Sequence, residues 1–595
     1  MSKTSCSHMT LHLLLASQMV FLGPLTAVPA VVAAPQTQSD DATLSHVLNR
    51  LTYGARPSDI NQARQMGLVA WIDSQLRPAA SEDPALSARL ASIETLNMPT
   101  SELRAKYEIP PEARQKIRKA RAERDEAAEK GKEPGTGSGE NADNPMARRT
   151  EREELMRRLG RPQQVIFDLQ AGKVLRAAFA ERQLEEVMVD FWFNHFNVFA
   201  RKGPIEFMVA EYEQTIRRNA LGKFEDLLIS TSKSPAMLFY LDNWQSTDPN
   251  FSPRALADQR RAQNRRPGAG PGGRRRPGMP GTGGGIDRPM GVEPGMANTQ
   301  PPRRTFGINE NYARELMELH TLGVDGGYTQ ADVVEVAKAF TGWTIRGEGP
   351  GGPRQNQQSR FGFEEARHVK GDKKVLGATI KDGGQKEGLE ILHKLATHPS
   401  TARFIATKLV RRFVADNPPQ ALVARAAATF AKTGGDIREV VRTIVTSEEF
   451  LGPSFRAAKV KTPLEFVVSA VRASGAEVLN ARDLAQRISA MGMPLYLQQP
   501  PTGYKDTAEE WISTSALLER MNFALDLSAG RVRGVRLDLK DLSGGATLDS
   551  VAARLLPGGL GENSRKTLES EAKAEGSEPT RLVGLVLGSP EFQRR

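Results

Sequence analysis

The sequence predicts a mainly α fold: one large multi-helix domain with a few short strands, interrupted by two long disordered inserts. Three observations lead there. Apolar residues recur at three- and four-residue spacing in segment after segment, many of these segments open on a capping residue or a proline, and two low-complexity stretches hold almost nothing that could be buried. Only around residues 360–382 does the pattern suit strands.

Near the start of the 595-residue chain, Lys3 precedes a mostly apolar run, Met9 to Val32, broken by Pro24 and Pro29 and followed by small residues up to Ala34. This is the pattern of a secretory signal peptide over residues 1–34, cut near Ala30 or Ala34. Two prolines, a histidine and a glutamine spoil it as a bilayer span, which needs about 20 clean apolar residues. No later stretch would span, so the mature chain is expected to have no transmembrane helix and to be exported to the periplasm or the extracellular space. Cys6, the only cysteine, leaves with the signal. That excludes disulfides, thiolate metal sites and cysteine nucleophiles from the mature protein.

An N-terminal helical segment spans 40–107. Its first helix, Asp40 to Leu51, turns Leu44, Val47, Leu48 and Leu51 inward and stops at Gly54; Pro57 and Ser58 open a second, and Leu68, Trp71, Ile72 and Leu76 share a face of a third. His46, one turn from Arg50, reads as structural. Residues 108–150 form a charged linker, a solvated helix running into GKEPGTGSGENADNP.

The first half of the helical core, 151–248, contains the run Leu184 to Phe199. Leu184, Met188, Phe191, His195 and Val198 fall on one face and Phe193 lies opposite, so this helix should be buried nearly all round. Asp190, Asn194 and Asn197 then make a polar stripe that needs partners, from neighbouring backbone or from a ligand. Pro235 opens a short helix that ends near Asp242 and Asn243, residues suited to a helix end or tight turn.

Residues 249–305 are an Arg/Gly/Pro insert, expected to be disordered. Between Arg254 and Arg304 it carries eleven arginines against three carboxylates, a net +8 of the chain's +11, so an insert and not a folded face holds the excess charge. With no aromatic residue between Phe251 and Phe306 it offers no stacking platform, and nucleic acid is not an expected partner.

The second half of the core, 306–455, opens on the most informative stretch, Gly307 to Trp343. On its first helix Tyr312, Leu316 and Leu319 form the apolar stripe and Glu310, Arg314 and Glu318 an ion ladder opposite. Asn311 and Glu315 sit on one border of the stripe and His320 on the other, without the i, i+4 ligand pair of a zinc helix. Thr329 and Asp332 form a capping box for the next helix. Val375, Leu376 and Ile380 suggest a hairpin, with His368 and Asp372 on the preceding loop. A helix after Pro399 turns Ile405, Leu409 and Phe413 inward and Lys408, Arg411 and Arg412 outward, and Asp436 caps IREVVRTIVTSEEF, whose end is echoed by VLGSPEF at Val586 to Phe592. In the C-terminal helical segment, 456–595, Thr462 and Pro463 open a helix, MGMPLYLQQPPTGY is extended, and a further helix starts from Thr507.

The passages HVLNRLTYG with AWIDSQL, FWFNHFNV, SPAMLFYLDNWQS, NENYARELMELHTLGV with GGYTQADVVEVAKAFTGW, HPSTARFIATKLVRRFV and GYKDTAEEWISTSALLERMN, in this order, resemble the bacterial exported family called domain of unknown function 1800. The resemblance implies a signal peptide, a mostly helical fold and frequent co-encoding with a secreted protein similar to sulfatases and alkaline phosphatases. It implies no activity, substrate or cofactor. The chain departs from it at RHVKGDKK, where the family more usually has histidine followed directly by aspartate.

No nucleophile elbow, zinc signature or phosphate loop stands in the sequence. The expected function is therefore that of an exported helical accessory or binding protein acting with a secreted sulfatase- or phosphatase-like partner or a surface polymer. The alternative is a periplasmic or extracellular hydrolase with Glu315, His195 and Asp190 as catalytic candidates. Asn194, Asn311, Glu318, His320, Asp242 and Asn243 are the binding candidates. The oxygen and imidazole donors would admit a divalent metal, which no specific motif supports. His195→Gln is expected to lower stability, and Glu315→Gln to lower function and leave the fold intact.

Overall fold

The computed structural model describes residues 40–77, 83–110, 145–252, 307–349, 359–540, 547–575 and 578–595, with a few isolated positions between, all within the unit Ser39–Arg595. The signal peptide at 1–34, most of the charged linker at 108–150 and most of the insert at 249–305 lie outside the described residues.

Asp40 caps α1 (Asp41–Leu51) by accepting the Thr43 amide at 2.6 Å, a contact that typically adds about 1 kcal/mol. α2 (Pro57–Met66) follows, and α3 (Leu68–Leu76) buries Trp71, Ile72 and Leu76. α4 (Pro145–Phe179) begins inside the expected linker, because Pro145 suits a first helical position and the residues after it are strong helix formers. It packs against α5 (Gln183–His195), the helix expected to be buried all round. Trp192 of α5 is fully buried and satisfied, its indole donating to Ala220 O at 2.9 Å. α6 (Val209–Asn219) completes this half, with Tyr212 donating to Phe196 O.

In the second half α7 (Glu310–Glu318) packs on α8 (Gln330–Ala339), burying Tyr312, Leu316 and Met317. The Thr329–Asp332 capping box is present, and the other oxygen of Asp332 accepts Leu376 N at 2.7 Å. One carboxylate thus starts a helix and anchors a hairpin. That hairpin joins β3 (Lys373–Val375) to β4 (Ala378–Ile380); ahead of it β1 (Trp343–Arg346), a strand the sequence pattern does not reveal, pairs antiparallel with β2 (Arg360–Phe363). α9 (Gln385–Ala396), α10 (Pro399–Phe413), α11 (Gln420–Thr433) and α12 (Ile437–Val445) continue the core.

α12 stops at Val445, short of the expected Phe450: the Ser447 hydroxyl accepts Phe450 N at 3.2 Å and starts a separate turn, Glu448–Leu451. α13 (Pro463–Ser474) opens on the expected Thr462, and α14 (Arg482–Ala490) follows. α15 (Thr514–Ser528) starts seven residues later than expected, capped by Ser513, while residues 508–510 form a separate 3-10 turn. After α16 (Pro579–Gly588) the Ser589 hydroxyl accepts Phe592 N at 3.3 Å. The echo of IVTSEEF in VLGSPEF is therefore a repeated serine-capped turn that buries a phenylalanine. No helix among the described residues is long and apolar enough to cross a membrane.

One ion cluster overturns an expectation. Arg412 does not face outward: it is buried against Glu465, 2.7 Å away, because α13 and the last residues of the chain cover that side of α10. Glu465 also holds Arg595 at 3.1 Å and accepts Thr462 N at 2.9 Å. Burial alone would raise its carboxyl; Arg412 and then Arg595 override this and hold it at about 2.

Glu465→Gln should therefore cost roughly 3–5 kcal/mol in urea unfolding at neutral pH, as expected when one partner of a buried pair is removed. Because the folded-state value is depressed, the stabilisation is present above the ordinary glutamate range, about 4, and is lost as pH falls toward about 2. The variant should show a correspondingly flatter acid limb.

Candidate ligand-binding site

The last turn of α5, α10 and the passage from Met493 to Trp511 enclose a cavity of about 450 Å³. The asparagines of the polar stripe build one wall by holding backbone. Asn194 donates to Tyr504 O at 2.8 Å and accepts Tyr504 N at 2.7 Å, a strand-like pairing made by one side chain. Asn197 donates to Gln498 O at 2.9 Å and Pro500 O at 2.8 Å. Gly503 has φ +69°, and a Cβ there would lie 2.2 Å from the Asn194 carbonyl, so only glycine lets the loop sit this close.

The cavity's aromatic walls include Phe193, Tyr496, Tyr504 and Trp511. Its cations are Lys173, Lys408, Arg411, Arg412 and Lys505, against Asp190, Asp506 and Glu509. Asp190 is already paired, 2.6 Å from Lys173, whose ammonium also lies over the rings of Phe193 and Tyr496.

His195 stands at the junction of α5, α7 and α10. Its Nε2 bonds His320 O at 3.1 Å, which assigns the proton to Nε2 and leaves Nδ1 to accept from Lys408 Nζ at 3.0 Å. Burial first and Lys408 second push the imidazole well below its ordinary range. His320 is likewise held at about 3 by burial and then Lys408. Both rings are therefore neutral and set among Phe196, Phe404 and Trp192. Lys408 is pushed down to about 8 by burial, with Asp506 pulling the other way, and among the described residues it makes no ion pair.

The structure brings His195, Asp190 and Asn194 to this cavity and leaves the other candidates outside its lining. Glu315 is half-buried, its carboxyl raised by burial and then by Glu318, close enough to Tyr240 to add to the rise of that buried phenol. The hydrolase constellation of Glu315 with His195 and Asp190 is thus not assembled on one cavity surface. Asn311 is exposed, Glu318 accepts from Tyr328 at 3.3 Å, and Asp242 takes a left-handed turn paired with Lys202 at 2.8 Å. Asn243 is buried, donating to Phe340 O at 3.2 Å. His320 reaches the site through its carbonyl.

Sequence reasoning missed Lys408, Arg411 and Arg412, which it placed in solvent, and Tyr496, Tyr504, Asp506 and Trp511. The available signal was the unusual passage MGMPLYLQQPPTGYKD, rich in proline and tyrosine yet without helical period.

Among the described residues one set has metal-ligand spacing: donor atoms of His368, Asp382 and Glu387 lie within 4.8 Å of one another. Lys373 Nζ sits 2.6 Å from Glu387 and 3.5 Å from His368 Nε2, and Gly383 N and Gly384 N donate to the same carboxylate. An ammonium held there takes the place of a dication, so these residues do not fit a metal. His368 lies on the loop as expected but is buried in that cluster, whereas Asp372 is paired with Lys381 at 2.6 Å.

Fold and cavity together define a mainly helical protein with a cation-rich cavity. The family model described as "Protein of unknown function (DUF1800)" matches residues 46–594, and the chain belongs to that family. Comparison with curated proteins and with solved structures returns no match.

Two substitutions separate scaffold from site. His195→Gln should lower stability by roughly 1–3 kcal/mol, since the His320 carbonyl and Lys408 share its two nitrogens. Glu315→Gln should raise the unfolding midpoint at pH 7 slightly or leave it unchanged. The raised carboxyl opposes folding when ionised, so the difference from wild type should close as the pH falls below about 4. Thermal unfolding of both variants across pH checks this.

Proposed function

We propose that the protein is an exported binding protein, without chemistry of its own, whose cavity takes an acidic saccharide segment of a surface polymer. The observation that carries this is Lys408: a half-buried lysine at the cavity whose hydrogen bond goes to a neutral imidazole and which makes no ion pair among the described residues. A carboxylate or ester anion entering the cavity would supply the missing partner. Arg411 and Lys505 add to the attraction, and the aromatic walls offer flat apolar contact to a ring.

Export rests on the signal-like run before Ala34 and on a mature sequence free of cysteine. A secreted sulfatase- or phosphatase-like protein is the proposed partner, on the strength of the family resemblance. The polymer segment bound here would be handed to, or held for, that enzyme.

The test is calorimetric titration with oligogalacturonate, an acidic oligosaccharide, against a neutral glucan oligomer of equal length. Binding of the acidic oligomer alone is expected, weakened about tenfold or more in Lys408→Met. Since free Lys408 titrates near 8, affinity should fall as pH rises past about 8, and Lys408→Arg should keep binding flat there because a guanidinium stays charged. Equal binding of both oligomers, or an unaffected Lys408→Met, would sink the proposal.

A further inference from the structure

A second cavity, of about 190 Å³, lies where α1, the stretch Arg456–Lys461, α13 and the last residues of the chain meet, and it shares no lining residue with the first. Its charged lining is Arg456, Lys461, Arg594 and Arg595 against one carboxylate, Glu591. Lys461 is buried, donates to Ser469 Oγ at 3.1 Å and lies 4.0 Å over the Phe592 ring. Among the described residues it makes no ion pair. Burial holds it down at about 7, with Glu465 working against this and Arg595 and Arg520 adding to it.

This cavity borders a buried cluster in which cations outnumber acids. Arg50, Arg412, Lys459, Lys461, Arg520 and Arg595 gather around Glu465, Asp506 and Asp416. Arg50 donates to Phe413 O and Phe455 O and Arg520 to Lys461 O, and neither makes an ion pair among the described residues. Among the described residues the Nε of Arg50, Arg412, Arg520 and Arg595 each lacks an acceptor. The local field is visible on His46 of the cavity wall, held at about 4 by burial and then by Arg50, Arg456 and Arg595. Uncompensated buried charge of this kind calls for a counter-ion.

We propose that the second cavity is an anion site that takes a phosphoryl group, which supplies the counter-charge missing beside Lys461, with Arg456 and Arg594 on the same lining. Its volume lies below the roughly 300–1,000 Å³ of cavities for drug-sized ligands and suits a small oxyanion. The two serine-capped turns frame it: Phe592 of one forms part of the wall, and Phe450 O of the other fixes His46 at 2.8 Å. The group could arrive as inorganic phosphate or as the terminal phosphate of a monoester.

The full chain, freed of phosphate, is titrated calorimetrically with inorganic phosphate and with glycerol phosphate, and its unfolding midpoint is followed in phosphate and in chloride of equal ionic strength. Phosphate should raise the midpoint where chloride does not. Arg594→Gln and Arg456→Gln should each weaken phosphate binding about tenfold; Arg594→Gln, at an exposed residue, should unfold as wild type without phosphate, whereas Arg456→Gln also gives up the bond to Thr43 and is read by its binding alone. Lys461→Met should abolish binding. Both phosphates binding would support a site for the group on a larger molecule, and inorganic phosphate alone a site for the free ion. Equal midpoints in phosphate and chloride, or wild-type phosphate affinity in both arginine variants, would overturn the proposal.

Discussion

The fold turns on a carboxylate shared by two guanidinium groups. Glu465 lies at the start of α13, Arg412 near the end of α10 and Arg595 at the last residue, so one buried charge joins segments far apart in sequence. Desolvating three ions is expensive, and their attraction repays it only with good geometry and further hydrogen bonds. Glu465 has the further hydrogen bond, since its other oxygen closes the Thr462 capping box. The final residues are fixed as well by backbone bonds between Lys459 and Arg595 and between Lys461 and Gln593. The two cavities lie on either side of this junction: Arg412 lines the first and Arg595 the second.

A second constraint shapes the first cavity. The passage around Tyr504 has no ladder partner of its own, and a loop buried without partners would carry unsatisfied peptide groups. Asn194, in the last turn of α5, and Asn197, just past its end, supply those bonds, so this part of the polar stripe finds its partners in neighbouring backbone, one of the two readings the sequence allowed. Lys408 of α10 and the aromatic residues of the loop complete the cavity's lining.

Most of the fold was legible in the sequence because local chemistry announces it. Asp40, Thr329, Asp436 and Thr462 each start a helix at the expected place. The site was only half legible. A helical wheel assigns charged residues to solvent, a rule that fails for Lys408 and Arg412 because α10 is covered by parts of the chain no local pattern connects to it. For the same reason Glu315, on the border of its stripe, could not be sorted by periodicity into cavity or surface. The burial of His195 did follow from its face of α5, since that helix is apolar nearly all round.

Four lysines on the described surfaces and interior show how burial separates structure from function. Lys373 has Glu387 at 2.6 Å and Lys459 has Asp416 at 2.6 Å, and neither lines either cavity. Among the described residues Lys408 and Lys461 make no ion pair, their hydrogen bonds going to a neutral imidazole and a serine hydroxyl, and each lines one. An internal ammonium matched by a carboxylate holds elements together and has no further demand. One left without an acid, beside a space open to an incoming group, is less stable than the fold alone would make it and gains most when an anion arrives. Burial by itself does not distinguish the two pairs; the missing carboxylate does.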